Sequence, residues 1–552
     1  MQKSIWSVFA LFVLGVFGCN HPTTEVNNRF NDIKLQKIYE LQDRRETKRL
    51  IPFLKAKKAE HRIAAVLAFA SIQDPDALEF VRVNLLTDTN PEVRKAAAYV
   101  IGQLRDSSNV GLLFMALENE IIPDSRKYIL EALGKSADSN VMRYFNTFET
   151  AATQLRQGHV IGMYRSLFAG KIGKDYALRS IQYFEPQSSE ETKFYAASIL
   201  SRLPDQYTEA HLEALKKLYK RNSKGEIGRL LKKFSGEQTL IDTLPDVRWK
   251  DIEEATKKVE VSQYKIAELL SRFKIESEMD QGAVAELALD YRYQIVRTFA
   301  SNAYFSSLQN DTAARQREEY ITFVKSSITS RDMALQSNAC IDIAKYPNET
   351  FLPLLKTFQD SLAMPRQLET FIDFEKAICK LESREYVKPV VPYNHPIDWK
   401  YVEKIPEDQH VKISTTKGDI IIQLAVNDAP GSVANFVKQV KSHYYDKKFF
   451  HRVVPNFVIQ AGCVRGDGWG SLDWTQRSEF SNYLRYKTGA VGLASVGNDT
   501  EGVQFFITHN PTPFLDGRYT IFAQVVEGMN VVHTIEIGDR IQTITLIDSV
   551  QK

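Results

Sequence analysis

Arginine recurs every 32 residues early in the chain, at Arg62, Arg94 and Arg126, and aspartate keeps the same interval at Asp74, Asp106 and Asp138. The segments carrying them are HRIAAVLAFASIQDPD, VRKAAAYVIGQLRDSS and SRKYILEALGKSADSN. Each reads as an Ala-rich apolar helix that ends in a polar turn. A unit of this size cannot bury its apolar face alone, so it must stack on its neighbours and build a core that grows along one axis. The period therefore predicts an α-solenoid, with the Arg and Asp series linking adjacent turns rather than binding a ligand. Apolar residues keep three- and four-residue spacing from about Asn31 to Tyr386. Thr192 to Asp205 and Arg331 to Glu349 are expected to be divergent units. The charged, less regular stretch Leu240 to Lys274 places a break between helical regions at 31–235 and 236–387.

Pro389, Pro392, Pro396 and Pro406 stiffen a connector at 388–408, and beyond it the pattern turns strand-like. Within FHRVVPNFVIQAG, Phe450 to Gly462, stand a cation (Arg452), an aromatic ring (Phe457), a branched apolar side chain (Val458) and an amide (Gln460). Two further blocks follow, GAVGLASVGNDTEGVQFFIT from Gly489 to Thr508 and FLDGRYTIF from Phe514 to Phe522. In this order and spacing the three blocks resemble the cyclophilin-type peptidyl-prolyl isomerases, and the repeats before them resemble HEAT repeats. The cyclophilin resemblance runs from about Val411 to Asp548 and sets a domain at 409–550. It implies a multidomain α + β fold, in which an N-terminal all-α HEAT-like solenoid precedes a closed eight-stranded antiparallel β-barrel capped by two helices.

The chemistry implied is rotation about an Xaa-Pro amide. Resonance holds that bond planar behind a barrier of about 18–20 kcal/mol. Rotation needs no nucleophile, metal or cofactor. It needs a grip on the proline ring and fixed donors placed where the twisted amide differs from the planar one. By resemblance, Arg452 is the cation beside the rotating amide, Gln460 orients the chain across the bond, and Phe457, Val458, Phe506 and Leu515 wall the proline pocket. Ala494, Ser495 and Gln504 match positions along the preceding client residues, while Val496, Thr500 and Gly502 match the neighbouring pocket. Phe514 stands where most eukaryotic members have tryptophan, Tyr519 where they have histidine, and Ser495 where asparagine is usual. Phe514 keeps an apolar ring without the indole donor, and Tyr519 an aromatic body with a polar tip. Taken singly, Phe457, Val458 and Phe506 would be core residues of any small barrel. Arg452 differs because it interrupts an apolar run. His451 is expected to be structural.

A net charge of +3 over 552 residues lacks the concentrated basic face that nucleic-acid binding requires. The histidines show no ligand spacing, so no metal is expected, and no cofactor is implied. At the amino end Lys3 precedes the apolar run Ile5 to Phe17, too short to span a bilayer but suited to a signal peptide at 1–18. Val16-Phe17-Gly18-Cys19 resembles a bacterial lipobox, with Cys19 as the lipidated residue. Asn20 rather than aspartate follows it, which favours the outer membrane, on the periplasmic side of the cell envelope. Cys340, Cys379 and Cys463 remain, an odd number with no disulfide framework.

The expectation is thus an envelope-anchored isomerase acting on proline-containing clients among exported proteins, its solenoid holding clients or a protein partner. The alternatives are a non-catalytic scaffold that binds proline segments and a chaperone working through the solenoid.

Overall fold

The computed structural model describes residues 28–149, 152–168, 170, 174–202, 207–235, 246–258, 262–309 and 311–548. The expected signal peptide and Cys19 lie outside these residues. Helices fill the first part of the chain, and Ala59–Ile72, Pro91–Gln103, Pro123–Lys135, Thr153–Phe168 and Glu190–Leu200 pack in succession. The repeated aspartates are helix caps. Asp74 accepts from the Asp76 amide, Asp106 from Ser108 and Asp138 from Asn140, at 2.8–3.0 Å, which satisfies donors that a helix start leaves open. The repeated arginines reach one unit onward. Arg62 pairs bidentately with Asp88, and Arg94 with Glu120. Arg126 makes no such pair among the described residues, and there the repeat blurs. Between the third and fourth of these helices Gly134 faces Gly162, and a Cβ on Gly134 would lie 2.1 Å from the Gly162 carbonyl oxygen.

A second helical arm packs Gln263–Arg272, Gln294–Ser307, Met333–Lys345 and Leu368–Leu381 in succession around its own apolar cluster. The first arm's cluster continues into the C-terminal domain.

That domain carries eight strands: β1 His410–Thr415, β2 Gly418–Leu424, β3 Arg452–Val454, β4 Val458–Ala461, β5 Ala490–Leu493, β6 Phe505–Thr508, β7 Ile521–Glu527 and β8 Ile541–Ile547. They form one antiparallel curled sheet in the order β3-β4-β6-β5-β7-β2-β1-β8. The expected closed barrel is not found. β3 and β8 remain unpaired edges, and the sheet is an open half-barrel. β3 has three residues, and the chain meets the start of β8 just before it, at the isolated bridge Phe449–Arg540 and through hydrogen bonds of Lys447 and Lys448 with Ile541, but the two strands do not pair. Helices Pro430–Lys441 and Met529–Val532 belong to this domain.

The domain is cradled by both arms. Arg165 and Arg485 share buried Glu131, and Arg165 also pairs with Asp516 at 2.8 Å. On the second arm Arg465 meets Asp332, and Arg366 pairs bidentately with Asp473. The proline-rich connector is fastened as well. Tyr393 donates to Asp43, Lys388 donates to the Asn498 carbonyl, and His395 stacks on Trp474 at 3.9 Å.

Candidate active site

Arg452 opens β3 directly opposite Gln460 of β4, so both side chains rise on one face. Arg452 Nη1 donates to Gln460 Oε1 at 3.1 Å, and Gln460 Nε2 donates to Gln504 Oε1 at 3.0 Å. The far end fixes the direction of the row. Gln504 Nε2 is held by the Gly468 carbonyl at 2.9 Å, so its oxygen must accept from Gln460, whose own oxygen then faces the guanidinium. Three polar side chains are thereby locked in one orientation before any ligand arrives, which is what electrostatic preorganisation requires.

Beside this row lies an apolar slot. Val458, Phe506 and Leu515 are buried around it, with Phe457, Ala494 and Tyr519 half-buried at its rim. Tyr486 stacks behind Phe506 with ring centroids 5.6 Å apart, and Tyr519 meets Phe506 edge-on at 5.9 Å. The Arg452 guanidinium lies 5.8 Å from the Phe457 ring centre. Slot and polar row open into one cleft of about 260 Å³, to which Ser495, Val496, Thr500 and Gly502 also contribute. The Ser495 hydroxyl is buried and has no hydrogen-bond partner among the described residues.

Phe514 stands apart from the other expected residues. The short turn Pro513–Leu515 sends successive side chains in opposite directions, Leu515 into the slot and Phe514 behind its wall. There Phe514 stacks on Phe457 at 5.6 Å and on Phe168 of the first arm at 5.8 Å, under the Arg202 guanidinium. Its position serves the joint with the arm rather than the cleft. His451 is buried outside the slot. Burial and the neighbouring Arg452 charge push its pKa down to about 4, so the ring is neutral at neutral pH.

The arms contribute residues that sequence reasoning missed. Met333 and the segment Pro365 to Thr370 of the second arm line the cleft opposite the barrel. They lie 80 to 117 residues before the motif blocks, which begin at Phe450, in a helical region whose apolar spacing speaks only of its own core. Among the described residues no group of three His, Cys, Asp or Glu side chains is placed to hold a metal ion, and Cys340, Cys379 and Cys463 are unpaired.

The profile of the family described as cyclophilin type peptidyl-prolyl cis-trans isomerase matches residues 410–550, and that of HEAT repeats matches 47–134. A peptidyl-prolyl cis-trans isomerase of Synechococcus elongatus is 41% identical over 137 residues, covering 24% of this chain and 94% of that protein. The chain belongs to the cyclophilin-type peptidyl-prolyl isomerase family. Peptidyl-prolyl cis-trans isomerase B of Bacillus subtilis is 41% identical over 121 residues, covering 22% of this chain and 85% of that protein. Isomerase 9 of Schizosaccharomyces pombe is 44% identical over 131 residues, 23% of this chain, and the match spans only 22% of that longer protein. A solved cyclophilin of Cryptosporidium parvum aligns at 29% identity and a TM-score of 0.24, over 25% of this chain and 98% of that one. The cyclophilin likeness thus belongs to the C-terminal domain. In that domain Arg452, Gln460 and Gln504 form the polar side of the cleft, and Phe457, Val458, Phe506 and Leu515 its apolar side.

Proposed function

We propose that the protein accelerates rotation about Xaa-Pro bonds in exported polypeptides, with catalysis in the cyclophilin domain and clients held against the helical arms. The observation that carries this reading is the locked row Arg452–Gln460–Gln504 beside the apolar slot. A proline ring seated between Phe457, Phe506 and Leu515 would present its amide to the guanidinium. Twisting removes resonance and leaves a lone pair on the prolyl nitrogen, which a fixed cationic donor stabilises more than it stabilises the planar amide. Gln460 orients the chain and keeps the guanidinium in place.

The test is proline-exchange kinetics of the full chain on a short Xaa-Pro peptide. Losing a charged hydrogen bond costs about 1.5–3 kcal/mol, so Arg452→Ala should slow exchange by at least ~10-fold. If wild type and Arg452→Ala are equally inert yet bind the peptide, the domain is a proline-segment scaffold instead.

The same reading places the protein in a bacterial envelope, lipidated on Cys19 and facing the periplasm from the outer membrane. Mass spectrometry of the mature amino end tests it. A diacylglycerol thioether on Cys19, lost in Cys19→Ala, is expected; an unmodified thiol refutes the anchor and leaves the isomerase untouched.

A further inference from the structure

The joint between the first arm and the cyclophilin domain holds a cavity of about 300 Å³, separate from the catalytic slot. Arg105, Lys135, Ser136 and Arg165 line it from the arm, Asp516 and Arg518 from the domain. Four cations thus face one carboxylate. Behind them, buried Glu131 is already shared by Arg165, Arg485 and Lys135. Burial pushes Lys135 down to about 7. Without it, the guanidiniums of Arg105, Arg165, Arg485 and Arg518 still meet only Glu131 and Asp516, an excess of two charges (four less two). Glu369 and Asp373 line the adjoining cleft, not this cavity.

Arg165 is fully engaged, with Glu131, Asp516 and the Pro513 carbonyl. Arg105 and Arg518 are not. Both lie at the solvent side of the cavity, and among the described residues neither guanidinium makes an ion pair or a hydrogen bond. Partial desolvation, then the like charges of Arg518 and Arg165, push Arg105 below its ordinary value. Two further donors are spare. The buried Ser136 hydroxyl has no partner among the described residues. Lys135 donates to Gln103 at 2.7 Å and lies 3.5 Å from Glu131, which leaves a third proton. Cations do suit helix C-termini, and Lys135 ends helix Pro123–Lys135. That reason does not reach Arg518, which stands on a loop of the domain.

We propose that this cavity binds a phosphate-type dianion, inorganic phosphate or a phosphomonoester, between Arg105 and Lys135 of the arm and Arg518 of the domain. Two guanidinium forks, a lysine proton and the Ser136 hydroxyl are more donors than a single carboxylate can use. Phe168 and Phe514, stacked at 5.8 Å, give the same cavity an apolar wall for an organic substituent. The bound ion would tie arm to domain at the loop that carries Leu515. This goes beyond the isomerase reading and does not depend on it, because binding is read without turnover.

The test is isothermal titration of the full chain with inorganic phosphate, then with phenyl phosphate, in chloride buffer of fixed ionic strength. One saturable site is expected. Arg105→Gln and Arg518→Gln should each weaken it about tenfold, the loss of one charged hydrogen bond. Arg49→Gln, at an exposed arginine elsewhere on the same arm, should leave the affinity as it is. Tighter binding of phenyl phosphate than of inorganic phosphate assigns the site to a phosphomonoester, and equal or weaker binding assigns it to the free ion. No saturable binding of either probe by wild type overturns the proposal. So does an affinity unchanged in both cavity variants, or lowered as much by Arg49→Gln. Each of these results leaves the isomerase to its own test by proline exchange.

Discussion

His451 and Arg452 are adjacent in sequence, yet one is buried and neutral while the other is exposed at the cleft. Strand alternation separates them, and the consequence is measurable. The unfolded ring titrates near 6.5 and the folded one near 4, so between those values only the unfolded chain takes up the proton. Stability is therefore full above 6.5 and is lost as pH falls toward 4. From about pH 7 to about pH 4.5 this ring alone should withdraw about 2 kcal/mol, and His451→Gln should flatten the urea-midpoint profile by that amount. An unchanged slope would mean the ring is solvated in the folded state. Arg452 follows a different logic, since its charge does not titrate in this range, and its substitution should lower exchange without altering the pH profile of stability.

The helix Pro430–Lys441 shows how an element can depend on a distant residue. Its N-cap, Ala429, has no side chain to satisfy the first amides. Glu479 reaches across instead, accepting from the Gly431 and Ser432 amides at 2.9 and 2.8 Å and from the Ser432 hydroxyl at 2.6 Å. Carboxylate, helix dipole and donors reinforce one another. Burial pushes this carboxyl up to about 7, so its ionised form is best examined above about pH 8. There Glu479→Ala should cost about 2–3 kcal/mol by denaturant unfolding, and Glu479→Gln, which keeps one acceptor, less. Equal losses would show that packing rather than capping holds the helix. The short β3 makes the same point for strands: its three residues suffice to aim Arg452 at Gln460, though not to close the sheet onto β8.

The arms and the cyclophilin domain are joined through charge as well as apolar contact. Arg165 of the first arm pairs with Glu131 and Asp516 and also donates to the Pro513 carbonyl, while Gln103 donates to the Gly517 carbonyl at 2.9 Å. Gly517 takes φ +66, and a Cβ there would strike the Gln103 amide, so turn and arm fit only with glycine. These contacts grip the loop bearing Leu515 and Tyr519. Removing one partner of a buried ion pair costs about 3–5 kcal/mol, so Arg165→Ala should lower the unfolding midpoint and raise KM for Xaa-Pro peptides with Arg452 untouched. A destabilised variant with unaltered KM would show that the arm does not position the slot. The sequence was enough to read the helical repeat and the strand-like domain, because periodicity is a local property that survives without coordinates, whereas the residues facing the slot were legible only through the resemblance of the motif blocks to a known family. Asp74 and Asp106 differ from expectation: the period suggests links between adjacent turns, and the structure makes each a cap of the helical turn that follows it. Phe514's retreat behind Phe457, the unpaired edge of β3, the clamping of the proline-rich connector and the wall supplied by Pro365 to Thr370 were not legible at all. Each arises where segments far apart in the chain compete for the same space, and no one-dimensional pattern records which of them occupies it.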